Sequence, residues 1–353
     1  MKLAACGKES FASLGQQFSE EIVAALRRQL NQIYFSLPER GNYARTSCTN
    51  SLVSQSAGLG WRHTMINNME RPRAFSVRLF LPGGDPDGVK TVEKSNWTGS
   101  GLVIPRSLFA ETRSRSELVR TGVYVLVGPD EKSQLPRVYV GEGDPIGPRL
   151  DQHARNKDFW TQAVSFTSKD QNLNKAHIQF LEYRLIDLAK AAKRCILDNA
   201  NTPQPPSLSE ADTAEAEGFL ADILLCLPVL GYGFFESPPA LTQTTLEFIL
   251  TGKNIMGRGY ETTTGFVVRA GSQAVKSETK SIPGFFTDMR RSLIDQEILV
   301  DSGQQYEMKQ DYTFNSPSYA AGILLGRAAN GRTEWKTASG HTLKSIQDAE
   351  VDK

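Results

Sequence analysis

Apolar and polar positions alternate most clearly between residues 122 and 168. In GVYVLVG (122–128), a period of two puts Val123, Val125 and Val127 on one face of a strand and Tyr124 and Leu126 on the other. RVYVG (137–141) repeats the pattern, with Val138 and Val140 opposite Tyr139, and the short Pro-bounded PDEKSQLP between the two runs predicts a hairpin. QAVSFTS predicts a third strand. Helical spacing follows. PIGPRLDQHAR opens with prolines near its first turn, and LNKAHIQFLEYRLIDLAKAAK carries Ile178, Leu181, Leu185, Leu188 and Ala192 as a stripe flanked by Ile186 and Ala189. After the proline-rich NTPQPPSLSE, Ser209 is a plausible N-cap for SEADTAEAEGFLADILLCL.

Upstream, AFSVRLFLP (74–82) predicts a strand, GGDPDG a loop, and PRSLFAE and SRSELVR helical turns. Residues 1–68 are rich in Ser, Asn and Gln, with one helix-like run at 18–30. They are expected to form either a poorly ordered N-terminal arm or an extension ahead of a start at Met65 or Met69. PPALTQTT (238–245) is a linker candidate. The section 246–345 predicts strands at LEFIL, GFVVRAG, EILVD and RTEWKT, helices at FFTDMRRSLIDQ and SPSYAAGILLG, and an exposed Trp335. The expected organisation is an N-terminal arm (1–68), an extension (69–120), a domain at 121–237 and a smaller accessory domain at 246–345. The fold class is α+β, with a small central antiparallel sheet flanked by helices and a C-terminal α+β domain.

Composition narrows the class. Hydrophobic residues make up 39% of the 353 and charged residues 22%, as in globular proteins, and no apolar run reaches the ~18 residues of a membrane span. A net charge of +1 removes any whole-chain attraction to polyanions but leaves room for a local basic cleft. Four scattered cysteines without a CxxC pair suggest a reducing cytoplasm. Neither a phosphate-binding glycine loop nor a zinc signature occurs.

Some residues stand out against this background. Arg149 and His153, four apart, share a helical face, which is most simply a solvated face. Glu182 lies four residues from both Ile178 and Ile186, on the flank of a buried stripe. A carboxylate there needs a partner or a metal, unless it reaches solvent at the edge. Taken singly, the tyrosines are ordinary strand aromatics.

In series, these positions resemble the GIY-YIG nuclease superfamily. GVY (122–124) looks like the first signature and YVG (139–141) like the second. The resemblance covers about 120 residues. It implies catalytic roles for Tyr124, Tyr139, Arg149, His153 and Glu182, with Asn199 or Asn201 as the site asparagine. It also implies Mg²⁺ or Mn²⁺ held by Glu182, DNA as partner, and cleavage of phosphodiester bonds, in restriction or defence against foreign DNA. Arg149 would contact the scissile phosphate and Tyr124 would position or deprotonate water, as a phenolate stabilised by Arg149, His153 or a metal-bound water. The 71–73 segment, Arg113, Arg115, Arg120, Arg155, Lys157 and Lys169 are candidates for a phosphate-contacting surface. The C-terminal section resembles an uncharacterised domain family found behind nucleases and restriction-modification enzymes, implying a DNA- or partner-contacting module or a packing domain. A non-cleaving nucleic-acid-binding protein and a regulatory scaffold are the competing classes.

Overall fold

The structure, a computed structural model, describes residues 74–170 and 172–351. The expectations for the N-terminal 73 residues, including the helix-like run and the 71–73 basic segment, lie outside the described residues. The first half contains β1 (Val77–Phe80), β2 (Lys90–Lys94), β3 (Gly99–Pro105), a single helical turn α1 (Phe109–Thr112), β4 (Gly122–Pro129), β5 (Pro136–Gly143), α2 (Ile146–Asn156), β6 (Gln162–Ser168), α3 (Lys175–Ala192), β7 (Ile196–Leu197) and α4 (Glu210–Val229). Its seven strands form one sheet in the order β1-β2-β3-β6-β4-β5-β7, antiparallel throughout except for the β5–β7 pair. Segment 74–120, expected to precede the domain as an extension, supplies three strands of that sheet. KTVEK and GSGLVIP, between the expected loop and the expected helical turns, are strands.

The alternation in β4 and β5 separates two cores. Val123, Val125, Val138 and Val140 pack against Ile178, Leu181, Leu185 and Ile186 of α3 and Phe219, Leu220 and Ile223 of α4. Tyr124 and Leu126 pack on the opposite face with Ile146 and Leu150 of α2 and with Trp160. Each fully buried aliphatic side chain contributes roughly 1.5–3 kcal/mol, so slipping β4 by one residue would exchange the two faces at large cost. Asn174 caps α3 by accepting from the His177 amide, and Ser209 caps α4 by accepting from the Asp212 amide.

The second half contains β8 (Glu247–Gly252), β9 (Ile255–Thr262), β10 (Gly265–Val268), β11 (Gln273–Val275), α5 (Gly284–Asp295), β12 (Leu299–Asp301), β13 (Gln305–Met308), β14 (Tyr312–Phe314), α6 (Pro317–Leu325), α7 (Gly331–Glu334) and α8 (Leu343–Val351). A four-stranded sheet, β14-β10-β9-β8, and a three-stranded sheet, β11-β13-β12, enclose a core with α5 and α6. The chain is thus α+β with a smaller C-terminal α+β unit. RTEWKT is not a strand. Asn330 caps the α7 turn by accepting from the Arg332 amide, and Lys336 makes only isolated bridges to Ile249 and Thr342. Trp335, expected to be exposed, is fully buried against Phe266, and its indole N–H donates to the Pro317 carbonyl at 3.0 Å. Its role is packing. Among the described residues, no helix is long and apolar enough to cross a membrane.

Candidate active site

Two glycines shape the site. A Cβ on Gly141 would lie 2.4 Å from the Tyr124 hydroxyl, so the phenol occupies the space a side chain would fill. A Cβ on Gly143 would lie 2.7 Å from the Ile146 Cα and 3.2 Å from the Arg149 Cγ, so this glycine lets α2 close onto the strand and lays the Arg149 stem over its end. The glycines beside the second tyrosine therefore admit both the first tyrosine and the arginine helix.

The aromatic groups form one cluster. Ring centroids lie 6.4 Å apart for Tyr124 and Tyr139, 5.6 Å for Tyr124 and His153, and 4.7 Å for Tyr139 and His153. The Tyr124 hydroxyl is 2.8 Å from His153 Nε2, and both residues are buried. Arg149, exposed on α2, has its guanidinium beside that hydroxyl and also donates to Gln152 Oε1 at 3.3 Å. Lys157 Nζ stands 4.4 Å from the Tyr139 ring centroid and 2.5 Å from Asp198 Oδ2, which fixes the ring from its other side.

Charge is finely set here. Burial, then Arg149 and Lys157, pull His153 down to about 4, so its imidazole is neutral at pH 7. Burial pushes the Tyr124 phenol well above its usual value, and Arg149 only partly offsets this. A phenolate stabilised by an imidazolium, one of the expected arrangements, is therefore not the resting state. Burial and then neighbouring Glu142 push Glu182 up to about 7. Among the described residues, the Glu182 carboxylate has no hydrogen-bond or ion-pair partner. A half-buried, unpartnered carboxylate beside a second one is a good seat for a hard divalent cation. Lys175 pairs with Glu142 at 2.5 Å and supplies part of the missing positive charge.

Asn199 engages the strand rather than the aromatic cluster. Its Oδ1 accepts from the Val140 amide at 2.9 Å and its Nδ2 donates to the Val140 carbonyl at 2.8 Å, so the carboxamide holds the strand next to Gly141. Asn201 is exposed. Of the basic candidates, Arg113 pairs with Asp151, Arg115 with Glu117, Lys157 with Asp198 and Lys169 with Glu93. The sequence reading missed Glu142 and Lys175. Glu142 directly follows the second signature on the valine face, which was the one available cue. A cavity of about 460 Å³, lined by Arg194, Phe285, Tyr312 and Tyr319 among others and by none of the site residues, lies between the β4–β5 turn and the C-terminal unit.

Residues 248–347 match a family described as a domain of unknown function, DUF4357. No curated protein and no solved structure matches the chain.

Proposed function

We propose that this chain is a metal-dependent endonuclease of the GIY-YIG type that hydrolyses DNA phosphodiester bonds. The chief support is the grouping of Tyr124, Tyr139, Arg149 and His153 within electrostatic reach of Glu182, whose carboxylate is half-buried and unpartnered among the described residues. Glu182, with Glu142 nearby, would hold Mg²⁺ or Mn²⁺. When bound, the ion would relieve charge on the phosphoryl and leaving oxygens. Because Glu182 titrates at about 7, ion binding would displace a proton.

The exposed Arg149 fork binds the phosphate under attack and, in turning toward it, uncovers the Tyr124 hydroxyl. With His153 neutral and its hydrogen on Nδ1, Tyr124 would donate to Nε2 and keep its oxygen lone pairs for the attacking water. As the water oxygen bonds to phosphorus, its proton passes to the Tyr124 oxygen and the Tyr124 proton passes to His153 Nε2. The departing ester oxygen takes a proton from solvent. Arg149 and Lys157 oppose the imidazolium, and the phosphate charge offsets them only when substrate is present. Tyr139, half-buried and held by Lys157, orients the phosphate. The buried free thiols Cys195 and Cys226 fit a reducing cytoplasm.

Nicking of supercoiled plasmid by the full chain tests this reading. We expect cutting with Mg²⁺ or Mn²⁺, none with EDTA, and about a thousandfold less by Glu182→Gln. Full Mg²⁺-dependent nicking by that variant would refute the site. Salt-sensitive DNA binding without cutting would favour the non-cleaving alternative.

A further inference from the structure

The valine face carries a second group of ligand-type side chains, at the first turns of α3 and α4. His177 on α3 is only 5% exposed, and Asp212 and Glu215 sit one turn apart on α4. One ligand atom from each lies within 4.8 Å of the other two. His177 Nδ1 is 3.2 Å from the Asn172 carbonyl oxygen. A carbonyl can only accept, so Nδ1 carries the hydrogen and Nε2 is the nitrogen offered to the carboxylates. Metal-ligating histidines are commonly oriented by such a bond. Asp212 is aimed as well: its Oδ2 accepts from the Ser209 hydroxyl at 2.7 Å, leaving Oδ1 toward Nε2 at 3.4 Å.

That separation is long for a charge-assisted hydrogen bond, which closes to about 2.7–2.9 Å. It does suit two ligands sharing one ion at ~2.1 Å in a tetrahedral shell, which lie about 3.4 Å apart. A cavity of about 300 Å³ adjoins, bordered by His177, Glu215, Asp170 and Trp97, with room for water ligands. The Trp97 indole N–H, on a residue that borders this cavity, is buried and without a hydrogen-bond partner among the described residues.

We propose that His177, Asp212 and Glu215 form a Zn²⁺ site, completed by water, that clamps the first turn of α3 to the first turn of α4. An imidazole with two carboxylates favours Zn²⁺ over Mg²⁺, which sets this site apart from the all-oxygen surroundings of Glu182. The assignment does not depend on nuclease activity. The clamp acts on the helix that carries Glu182, five residues beyond His177.

Calorimetric titration of the metal-stripped full chain with Zn²⁺, in excess Mg²⁺, tests it. Wild type and Glu182→Gln should each take up one equivalent. Asp212→Asn and Glu215→Gln should each weaken binding at least tenfold, and His177→Ala should abolish it. Zn²⁺ should raise the thermal midpoint of the wild type but not of Asp212→Asn. Both carboxylates lie at or near the surface, so these two variants decide the matter even if His177→Ala fails to fold. Equal Zn²⁺ affinity in wild type and Asp212→Asn would overturn the proposal, as would loss of uptake in Glu182→Gln alone or no uptake by any form.

Discussion

Arg290 in the C-terminal unit and Glu182 in the large sheet are both charged groups withdrawn from water, and the chain treats them in opposite ways. Arg290 is 2% exposed. Its guanidinium donates to Glu278 at 2.9 Å and to the Ile323 and Val275 carbonyls, joining α5, α6 and β11. Glu182 is held back from ionising by burial and then by Glu142, against the pull of Arg149 and Lys175, and has no partner among the described residues. Saturated valence marks a group that holds the fold, and open valence marks one kept for a ligand. The same contrast separates Asn199, with both ends of its amide engaged, from Arg149, whose guanidinium reaches solvent.

Removing each group should break the comparison if it is wrong. Glu182→Gln should lower metal-dependent cleavage about a thousandfold, roughly 4 kcal/mol of barrier, while leaving the urea midpoint unchanged or higher. Arg290→Ala should do the reverse. It strands Glu278 and two carbonyls, costing about 3 kcal/mol in urea unfolding, with the catalytic constants of the folded fraction retained. Gly141→Ala sharpens the boundary between the two roles. A methyl 2.4 Å from the Tyr124 hydroxyl must displace the ring, and turnover should drop on the order of a hundredfold while the far-ultraviolet spectrum stays native. Asn199→Ala should cost about 1.5 kcal/mol of stability through the two lost bonds to Val140.

In the wild type, the pH effect is small because two larger ones cancel. The folded pKa of Glu182 is raised to about 7, so the folded state holds a proton the unfolded state has lost. Stability from this group falls as pH rises from about 4.5 to 7. His153 is lowered to about 4, so its contribution falls as pH drops from about 6.5 to 4. The two slopes oppose each other between about 4.5 and 6.5 and flatten the wild-type profile. Thermal midpoints across this window should rise with pH in Glu182→Gln and fall with pH in His153→Gln.

Much of the Tyr124–Arg149 arrangement was legible in the sequence because it rests on local periodicity. A period of two set both tyrosines opposite the valines, and i,i+4 spacing set His153 beside Arg149. Long-range pairing was not legible. GSGLVIP is glycine-broken and ends in proline, which hides a strand, and it pairs with β6 at positions 57 to 69 residues later. The Glu142–Lys175 ion pair joins positions 33 apart, and nothing local announces it. Trp335 misled because its polar neighbours suggested a surface strand, whereas the α7 turn feeds the ring into the core against Phe266.

The amide of Asn199 has one more consequence. Strand β7 is only two residues long and forms one margin of the seven-stranded sheet. Beyond it, the Asp198 amide donates to the Val138 carbonyl at 2.7 Å and the Asn199 carboxamide takes both backbone groups of Val140, imitating a peptide unit where no strand continues. An unpaired β5 would offer those groups to any extended segment from another chain. A single side chain thus blunts an aggregation-prone margin beside the Tyr124–His153 cluster, closing it to stray strands.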